Sequence, residues 1–427
     1  MTLLRRQIRL QLINVASFRS LILLFCLLIG LPFASWAYSP YTTSELDQLE
    51  KEFIQQINQA GNVIRTPLAN QYINHLGKIL ARHGQIAQPY FFLVNSKEIN
   101  AFEGPGGYIG INSQLILATE NESELAAVMA HEMAHVRLHH LYRLIEHEKQ
   151  MRVPMLASML ASIALGVINP AVGSGALMAS MTGFAQDNIS FIRSNEKEAD
   201  RIGINMLIKS GLNPQGMAGF FKKMQQHGRY YYTANIPAIL RTHPLDDDRI
   251  AEAENRSLNL AKKDYVDSLD YKLFKELIRT SVISSDKLLL EYYQHQCRKE
   301  NTAIACQYGQ ILTLLNINQY QQAKERLMPL LQQDHDNLYY AIAMSQIEIG
   351  LEQYNNATMR LKELQANYPD NYAALITYAQ SLIDANKAEQ AVSILLKGSR
   401  QYKNDLPLCE QLARASGKSP QRLCLFH

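Results

Sequence analysis

Several features are scarce in this 427-residue sequence. It holds 21 glycines and 14 prolines, and its 42 basic and 39 acidic residues leave a net charge of only +3. Low glycine and proline content argues against a collagen-like, low-complexity or largely disordered chain. A nearly balanced charge gives no electrostatic reason to expect binding to nucleic acid. Hydrophobic residues make up 47% of the chain, which suits a globular protein, and its length predicts two domains rather than one core.

Metal-binding cysteine patterns are also lacking. No CxxC or Cys/His cluster occurs, so the five cysteines are not expected to hold a metal. Cys26 lies in the N-terminal leader described below, and an even number in the remaining exported chain favours disulfides. Three pairings are open, and the pairs closest in sequence, Cys297 with Cys306 and Cys409 with Cys424, are favoured.

The N-terminal segment has the pattern of a secretory signal. Arginines precede an apolar run from Leu21 to Phe33, and small residues follow at Ser35 and Ala37. The run has about 13 residues, short of the ~20 that span a bilayer, which favours cleavage after Ala37 over an uncleaved anchor. Residues 1–37 contain four arginines and no acidic residue, so removing them lowers the net charge by four, from +3 to −1.

A second stretch without charge runs from Val153 to Gln186. Asn169-Pro170 interrupts it, and no unbroken apolar run of about 20 residues remains, which disfavours a membrane span. A buried or surface-lying helical hairpin is the preferred interpretation. Peripheral contact with a membrane through residues 153–186 stays open.

The residues before the central motif predict helices and a small sheet. Helical spacing extends from Leu46 to His83, and two short strand-like runs follow at Tyr90–Val94 and Gly106–Leu117. Asn121 and Glu124 have the spacing of a capping box, so a helix is expected to begin about ten residues before His131.

Further helices are predicted after the uncharged stretch. They cover Asn195–Ile208 and Pro214–Gln226, and residues 246–264 have the composition of a polar helical bridge.

Beyond residue 300 the sequence repeats with a period of 34. Ala323, Ala357 and Ala391 recur at this interval, as do polar turn pairs such as Asp336-Asn337 and Asp370-Asn371. This period resembles the tetratricopeptide repeat, in which small residues let paired helices pack closely. Another helical solenoid or a chance match is the alternative. Such repeats bind partners and do no chemistry, so a groove for a protein is expected here.

Residues 131–135 read His-Glu-Met-Ala-His, an HExxH pattern. Histidines four apart lie on one helical face, so His131 and His135 can both reach one Zn²⁺ while Glu132 faces a water. The predicted capped helix around the motif favours this interpretation over two ordinary helical histidines.

A catalytic zinc keeps three protein ligands and one open position. Glu196 and Asp200 are four apart on another predicted helix. Glu196 is therefore expected to bind the metal, and Asp200 to accept a hydrogen bond from the distal nitrogen of a ligand histidine. Glu198 points elsewhere on that helix and is the alternative ligand.

These motifs, together with others in the same order, resemble peptidase family M48 over about residues 45–255. Asn100-Ala101-Phe102 and Pro105-Gly106-Gly107-Tyr108-Ile109 look like the family's strand before the catalytic helix. The motifs that carry the resemblance at the site are His131-Glu132-x-x-His135, Glu196-x-x-x-Asp200, and Thr242-His243-Pro244 followed by Arg249.

The resemblance implies a mainly α chain: an α+β, gluzincin-type zinc metalloprotease domain with a small sheet, followed by the tetratricopeptide-like solenoid. Glu132 is expected to take a proton from the attacking water and return it to the leaving amine. The strand at Tyr108–Asn112 is expected to pair antiparallel with an extended substrate. The resulting expected domains are a signal peptide (1–37), a protease domain (38–262), a helical linker (263–300) and a repeat domain (301–427).

The remaining candidate residues are less determined. The resemblance implies that His243 lies near the metal, either stabilising the oxyanion or occupying the open position as a latch; a turn residue that merely packs is the alternative. Arg249 is expected to pair with a nearby carboxylate. His139 and His140 are expected at the surface or behind the ligands.

With a signal peptide in front and repeats behind, the resemblance implies a periplasmic zinc metalloendopeptidase in outer-membrane protein quality control. Its substrates would be unfolded or misassembled outer-membrane proteins, and the outer-membrane assembly machinery would bind the repeats. The alternative is a chaperone-like adaptor of that machinery with a largely latent zinc site. An integral-membrane protease is a third interpretation, which requires residues 153–186 to insert.

Overall fold

The computed structural model describes residues 43–147, 186–230, 237–258, 264–297, 303–402 and 405–417. The predicted signal peptide, the uncharged stretch up to residue 185, and Cys424 lie outside these ranges. Among the described residues, no helix is both long and apolar enough to cross a membrane. The described residues from Leu46 onward belong to one compact unit.

The N-terminal part (residues 43–258) combines helices with a small sheet. The predicted helical pair is present, and the predicted strand Tyr90–Val94 has those bounds. The elements are α1 (Thr43–Gln59), β1 (Val63–Ile64), α2 (Pro67–Gly84), β2 (Tyr90–Val94), β3 (Ala101–Glu103), β4 (Tyr108–Asn112), α3 (Ser113–Ala118), α4 (Glu122–Leu138), α5 (His140–His147), α6 (Gln186–Lys209), α7 (Gln215–Tyr230), α8 (Ala238–Thr242) and α9 (Asp247–Leu258).

The predicted strand Gly106–Leu117 was wrong in its second half. Residues 105–107 form a short 3₁₀ turn, β4 ends at Asn112, and Ser113 begins the helix α3. Leu115 and Ile116 of this helix are buried. A short apolar run fits a buried strand and a buried helical turn equally well, so the periodicity could not separate them.

The sheet has the strand order β1-β2-β4-β3. β2 and β4 are parallel, with Tyr90 opposite Tyr108, whereas β3 runs antiparallel to β4, with Phe102 opposite Gly110. A Cβ atom on Gly110 would lie 2.3 Å from the Phe102 ring, which explains the glycine. Both edges of β4 are used inside the sheet, so the predicted pairing of Tyr108–Asn112 with substrate is wrong. The edge strands of this sheet are β1 and β3, and β3 is the edge strand next to β4.

Helix α4 runs through the core of the N-terminal part. Every residue from Ser123 to His135 is buried, and the helix packs against α2, α6, α7 and β3. A helix that is buried on all sides needs no polar face, so the apolar run before the motif agrees with this position. The motif therefore lies inside the protein rather than on a surface loop.

Two helices connect the N-terminal part to the repeats. They are α10 (Leu269–Val282) and α11 (Asp286–Gln296). α10 packs on α2, α3 and the first repeat helix. The predicted disulfide between Cys297 and Cys306 is confirmed. Cys409 is also disulfide-bonded, and its predicted pairing with Cys424 stays a prediction.

The repeat part (residues 303–417) consists of paired helices with the predicted period. The second helices begin at Tyr320, Tyr354 and Ala388, and Ala323, Ala357 and Ala391 are fully buried between helices. The elements are α12 (Ala303–Asn316), α13 (Tyr320–Gln333), α14 (Leu338–Gly350), α15 (Tyr354–Asn367), α16 (Tyr372–Asp384), α17 (Ala388–Gln401) and α18 (Leu406–Ser416).

The polar turn pairs act as helix caps. Asn337, Asn371 and Asp405 are the N-cap residues of α14, α16 and α18, and each side chain accepts a backbone N–H of the first turn. The repeats also contact the N-terminal part directly: α16 packs on α2, where Tyr372 N donates to Gln71 Oε1 at 3.1 Å. The side of the repeats formed by α12 and α16 is therefore covered in part by the chain itself.

Candidate metal centre

The N-terminus of α4 is fixed by hydrogen bonds. Asn121 Oδ1 accepts the Glu124 N–H at 2.9 Å, as the predicted cap requires. The second half of the capping box differs, because Glu124 Oε2 accepts from Glu120 N at 2.7 Å instead of from Asn121. Lys223 of α7 lies 2.6 Å from the same carboxylate oxygen. These contacts anchor the helix that carries the motif.

Three of the predicted ligands converge from two helices. His131 Nε2 and His135 Nε2, one turn apart on α4, lie 3.0 Å from each other. The carboxylate of Glu196 on α6 lies 3.3 Å from His131 Nε2 and 3.4 Å from His135 Nε2. All three side chains are buried. The structure thus brings together the residues that the spacing singled out.

His243 lies at the same point. It follows α8, and its Nδ1 is 3.1 Å from Glu196 Oε1 and 3.3 Å from His131 Nε2. Its Nε2 is 3.4 Å from Glu132 Oε1. The ring therefore contacts both the convergent donors and the carboxylate next to them.

The segment that carries His243 is held against the residues before β3. Ile239 N donates to Ile99 O at 3.1 Å. Arg241 Nη2 lies 3.4 Å from Glu98 Oε2, and Thr242 Oγ1 is 3.4 Å from Asn100 Oδ1. These contacts position the segment, which we call the α8 segment (residues 238–245), in front of the histidines.

The donor set fits a divalent metal ion. One donor atom each from His131, His135, Glu196 and His243 lie within 4.8 Å of one another. The contacts of 3.0 to 3.4 Å resemble the separation of about 3.3 Å between tetrahedral ligands 2.0–2.1 Å from zinc. Within the described residues, neither buried oxygen of Glu132 has a hydrogen-bond partner, and Oε2 of Glu196 has none besides its ion-pair contacts. Buried carboxylates in this state need a cation or water nearby.

Behind His131 lies a buried ion pair. Asp200 Oδ1 is 2.9 Å from His131 Nδ1, the distal nitrogen of the ring. Arg249 holds Asp200 in a two-point contact, from Nε at 2.7 Å and from Nη2 at 2.8 Å, and it is only 1% exposed. Arg249 also contacts Glu196 Oε2 at 3.0 Å and lies over the Phe221 ring. The residues predicted to support the ligands are thus in contact with them.

Burial and neighbouring charges together raise the pKa of His131 and lower the pKa values of His135 and Glu196. Burial lowers the pKa of His135 well below its usual value. Burial acts in the same direction on His131, but hydrogen bonds with Asp200 and Glu196 outweigh it and raise the pKa of that imidazole to about 10. Burial opposes ionisation of Glu196, yet His243, His135 and Arg249 hold its pKa well below the usual range. Without a metal ion, a proton on His131 balances the charge of Glu196, and a bound cation would replace that proton.

Behind His135 lies a residue that the sequence left undetermined. His140 is 3% exposed, and its Nδ1 lies 2.9 Å from His135 Nδ1. Burial lowers the pKa of His140 to about 4. Its neighbour His139 is exposed, at the left-handed end of α4. Glu198, the alternative ligand, is 44% exposed and contacts His140 rather than the convergent donors.

An apolar pocket adjoins His131 and His243. α4 and α7 provide one side of it, and Leu240 and Leu245 of the α8 segment provide the other. Its volume is about 30 Å³, enough for a small group. The apolar side chains from the two helices that line it are Val128, Met217, Phe220, Phe221 and Met224.

Comparison with known proteins identifies two regions. The sequence model of peptidase family M48 matches residues 67–257, and that of a tetratricopeptide repeat matches residues 348–415. These matches do not fix the predicted boundaries at residues 262 and 300, which stay predictions.

Curated relatives match most of the chain. It is 34% identical over 378 residues to the beta-barrel assembly-enhancing protease of Escherichia coli (strain K12), a match of 86% of this chain and 76% of that protein. The same-named protein of Yersinia pestis is 32% identical over 85% of this chain and 75% of its own length. The metalloprotease LoiP of Escherichia coli (strain K12) is 27% identical over 52% of this chain and 84% of its length.

Proposed function

The chain belongs to peptidase family M48 and is a metalloprotease, and from this premise we propose that it is a zinc-dependent endopeptidase of the periplasm. The observation that carries the proposal is the convergence of His131, His135 and Glu196 beside the buried carboxylate of Glu132. Two imidazoles and one carboxylate are the donor set of a catalytic zinc site in hydrolytic enzymes. Hydrolysis of peptide bonds is the chemistry that this arrangement supports.

Each residue has a separate role. His131, His135 and Glu196 hold the zinc ion, which when bound supplies a Lewis acid and lowers the pKa of water to about 7. Glu132 is 0% exposed, and its carboxylate is the general base that takes a proton from the attacking water and later gives it to the leaving amine. Asp200 and Arg249 keep His131 oriented with its Nε2 toward the site.

His243 is the residue that restrains the enzyme. Its Nδ1 lies among the donor atoms and its Nε2 faces Glu132, so the ring occupies the space that a substrate carbonyl and the attacking water need. This position favours the latch over a residue that merely packs. Oxyanion stabilisation requires the ring to move away from Glu132, and the same histidine could perform it only after the α8 segment has opened.

Substrate binding involves the edge strand and the apolar pocket. β3 is the edge of the sheet beside α4, so an extended segment of substrate would pair with β3 once the α8 segment has moved. The pocket next to His131 suits a small apolar side chain beside the bond to be cut. Backbone pairing of this kind favours unfolded or loop segments.

The relatives and the repeats suggest the biological role. The names of two of these relatives, those of Escherichia coli (strain K12) and Yersinia pestis that match most of the chain, refer to beta-barrel assembly. We assign to this chain misassembled or unfolded outer-membrane proteins as substrates and the outer-membrane assembly machinery as a partner of the repeats. The N-terminal segment 1–37, with its arginines and short apolar run, supports export to the periplasm.

The test uses purified residues 38–427 with Glu132→Gln and His243→Ala variants. Zinc content and cleavage of casein are measured for each. One zinc per chain is expected in all three proteins, with cleavage lost in Glu132→Gln and increased in His243→Ala. Zinc-free protein would refute the ligand set, and a fully active Glu132→Gln variant would refute the mechanism.

A chaperone-like adaptor is the second candidate, and the position of His243 over Glu132 favours it. A site that stays closed would leave binding by the repeats as the main activity. The cellular test is complementation by Glu132→Gln: an adaptor keeps its outer-membrane role in this variant, whereas a protease loses it.

A further inference from the structure

The two histidine ligands are supported in different ways. The distal nitrogen of His131 contacts a carboxylate, that of Asp200. The distal nitrogen of His135 instead contacts the imidazole of His140, Nδ1 to Nδ1 at 2.9 Å. His140 Nε2 in turn lies 3.4 Å from Glu198 Oε2, and Arg143 Nη1 is 3.2 Å from the same oxygen. A chain of four side chains therefore runs from His135 to the surface.

Use of His135 Nε2 as a metal ligand would determine where the protons lie along this chain of side chains. His135 directs Nε2 at the convergent donors, 3.4 Å from Glu196 Oε1. A neutral histidine that offers Nε2 as a ligand carries its proton on Nδ1. The acceptor within reach of that N–H is His140 Nδ1. His140 must then present a lone pair at Nδ1 and carry its own proton on Nε2.

The contacts of His140 Nε2 and Glu198 agree with this assignment of protons. The N–H on His140 Nε2 points to the carboxylate of Glu198, which can only accept. Arg143 adds a positive charge beside that carboxylate. A proton on both nitrogens of His140 would instead direct one N–H against the N–H of His135. With His135 Nε2 as a ligand, the hydrogen bonds run in one direction: His135 donates to His140, and His140 donates to Glu198.

We propose that His140 is a positioning residue that holds His135 in its metal-binding tautomer and passes the hydrogen bond on to Glu198. This inference rests on the ligand set proposed above and adds a residue to it. His140 is not one of the convergent donors, and it acts through His135. The expected consequence is tighter binding of zinc, because the ligand is already oriented in the metal-free protein.

Two near-isosteric variants separate this role from simple packing. In His140→Asn, the amide oxygen can take the place of Nδ1 and still accept from His135. In His140→Gln, the amide lies near the place of Nε2, and the acceptor next to His135 is lost. Zinc affinity is measured on residues 38–427 by competition with a chromophoric chelator, and folding of the metal-free proteins is compared by circular dichroism.

We expect His140→Gln to bind zinc about 10- to 100-fold more weakly than the parent and His140→Asn to stay within a few-fold of it. His139→Asn is the matched control, because His139 is exposed and adjacent in sequence. Equal affinities for His140→Gln and His140→Asn would overturn the proposal while leaving the ligand set intact. A parent protein that binds no zinc would refute the ligand set and the positioning role together.

Discussion

The buried pair of Asp200 and Arg249 is the most demanding electrostatic feature of the site at the level of single residues. Arg249 compensates Asp200 and also faces Glu196, and all three are buried. Removing one partner of a buried pair leaves an uncompensated charge, which costs about 3–5 kcal/mol. The ion pair thus supports both the fold and the orientation of His131.

Arg249→Met is expected to lower the free energy of unfolding by about 3–5 kcal/mol and to weaken zinc binding, because Asp200 loses the charge that holds it. Arg201→Met is the control: Arg201 pairs with Glu252 on the surface and is 51% exposed. An exposed pair contributes at most about 1 kcal/mol. Urea unfolding measures the loss of stability in each variant. Equal losses in Arg249→Met and Arg201→Met would contradict the importance of the buried ion pair.

The sequence predicted the contacts that depend on spacing along one helix. His131 and His135, like Glu196 and Asp200, are four residues apart, and helix geometry alone places each pair on one face. His140 could not be predicted in this way. It reaches His135 because His139, at the end of α4, has a left-handed conformation (φ 54°) and α5 begins at the next residue, His140. No periodicity encodes such a turn at a non-glycine residue.

At the scale of elements, α7 packs closely against the start of α4, the helix that carries the HExxH motif, and holds it in position. A Cβ atom on Gly216 would lie 2.5 Å from Ser123 O, a backbone atom that cannot move without shifting the start of α4. Three residues later on α7, a Cβ on Gly219 would be 3.4 Å from a side-chain oxygen of Glu124. The room for an added methyl group is therefore much smaller at Gly216 than at Gly219.

Gly216→Ala is expected to destabilise the protein by about 1–3 kcal/mol, because the clash displaces one helix. Gly219→Ala should be neutral or stabilising by up to about 1 kcal/mol, since alanine is the better helix former and the side chain can yield. Thermal unfolding of the two variants measures the difference. If both variants change the thermal stability by the same amount, α7 does not approach α4 as closely at Gly216 as the structure indicates.

The apolar pocket makes a prediction about substrate preference. Met224 of α7 lines the pocket and is 1% exposed. Met224→Ala enlarges the pocket and is expected to shift cleavage toward peptides with larger apolar side chains beside the cut bond, at a stability cost of about 2–5 kcal/mol. Cleavage of a peptide mixture, read by mass spectrometry, shows the preference.

Met344→Ala provides the matched control for this variant. Met344 is fully buried in α14 of the repeats, so it loses the same side chain at a distance from the pocket. The control should show a similar loss of stability and the parental cleavage preference. A changed preference in both variants would mean that destabilisation, rather than pocket size, alters the cut sites.

The order of the strands in the sheet could not be predicted from the sequence. Tyr90–Val94 was visible as a β-branched and aromatic run, but the sequence did not indicate that β4 lies between β2 and β3. Strand order follows from long-range pairing, as between Tyr90 and Tyr108, and not from local pattern. The edge available to a substrate therefore changed from Tyr108–Asn112 to β3. The repeats could be predicted, because a period of 34 residues is visible in the sequence itself.

At the scale of the whole molecule, the two matched regions share one core. A single cluster of buried side chains includes Leu76 of α2, Ile278 of α10 and Leu382 of α16. Phe274 of α10 stacks on Tyr72 of α2 with ring centroids 4.3 Å apart. The Tyr72 hydroxyl donates to Glu122, in the first turn of α4. The helix that connects the repeats to the rest of the chain thus packs beside the start of the motif helix.

This shared core predicts that the site and the repeats unfold together. Residues 38–427 contain no tryptophan, because the single tryptophan of the chain is Trp36. A Tyr378→Trp substitution in α16 therefore gives a fluorescence signal from the repeats alone, while casein cleavage reports on the site. Both signals should be lost at the same urea concentration, as in one cooperative transition.

Adding Phe274→Ala tests the coupling. Loss of a buried phenylalanine costs about 3–5 kcal/mol, and Phe274 is fully buried at the junction. If the core is one unit, the activity and fluorescence midpoints move to lower urea by the same amount. Cleavage lost well before the fluorescence changes would mean that the two regions unfold separately. In that case α10 would be a linker rather than a structural part of the catalytic unit.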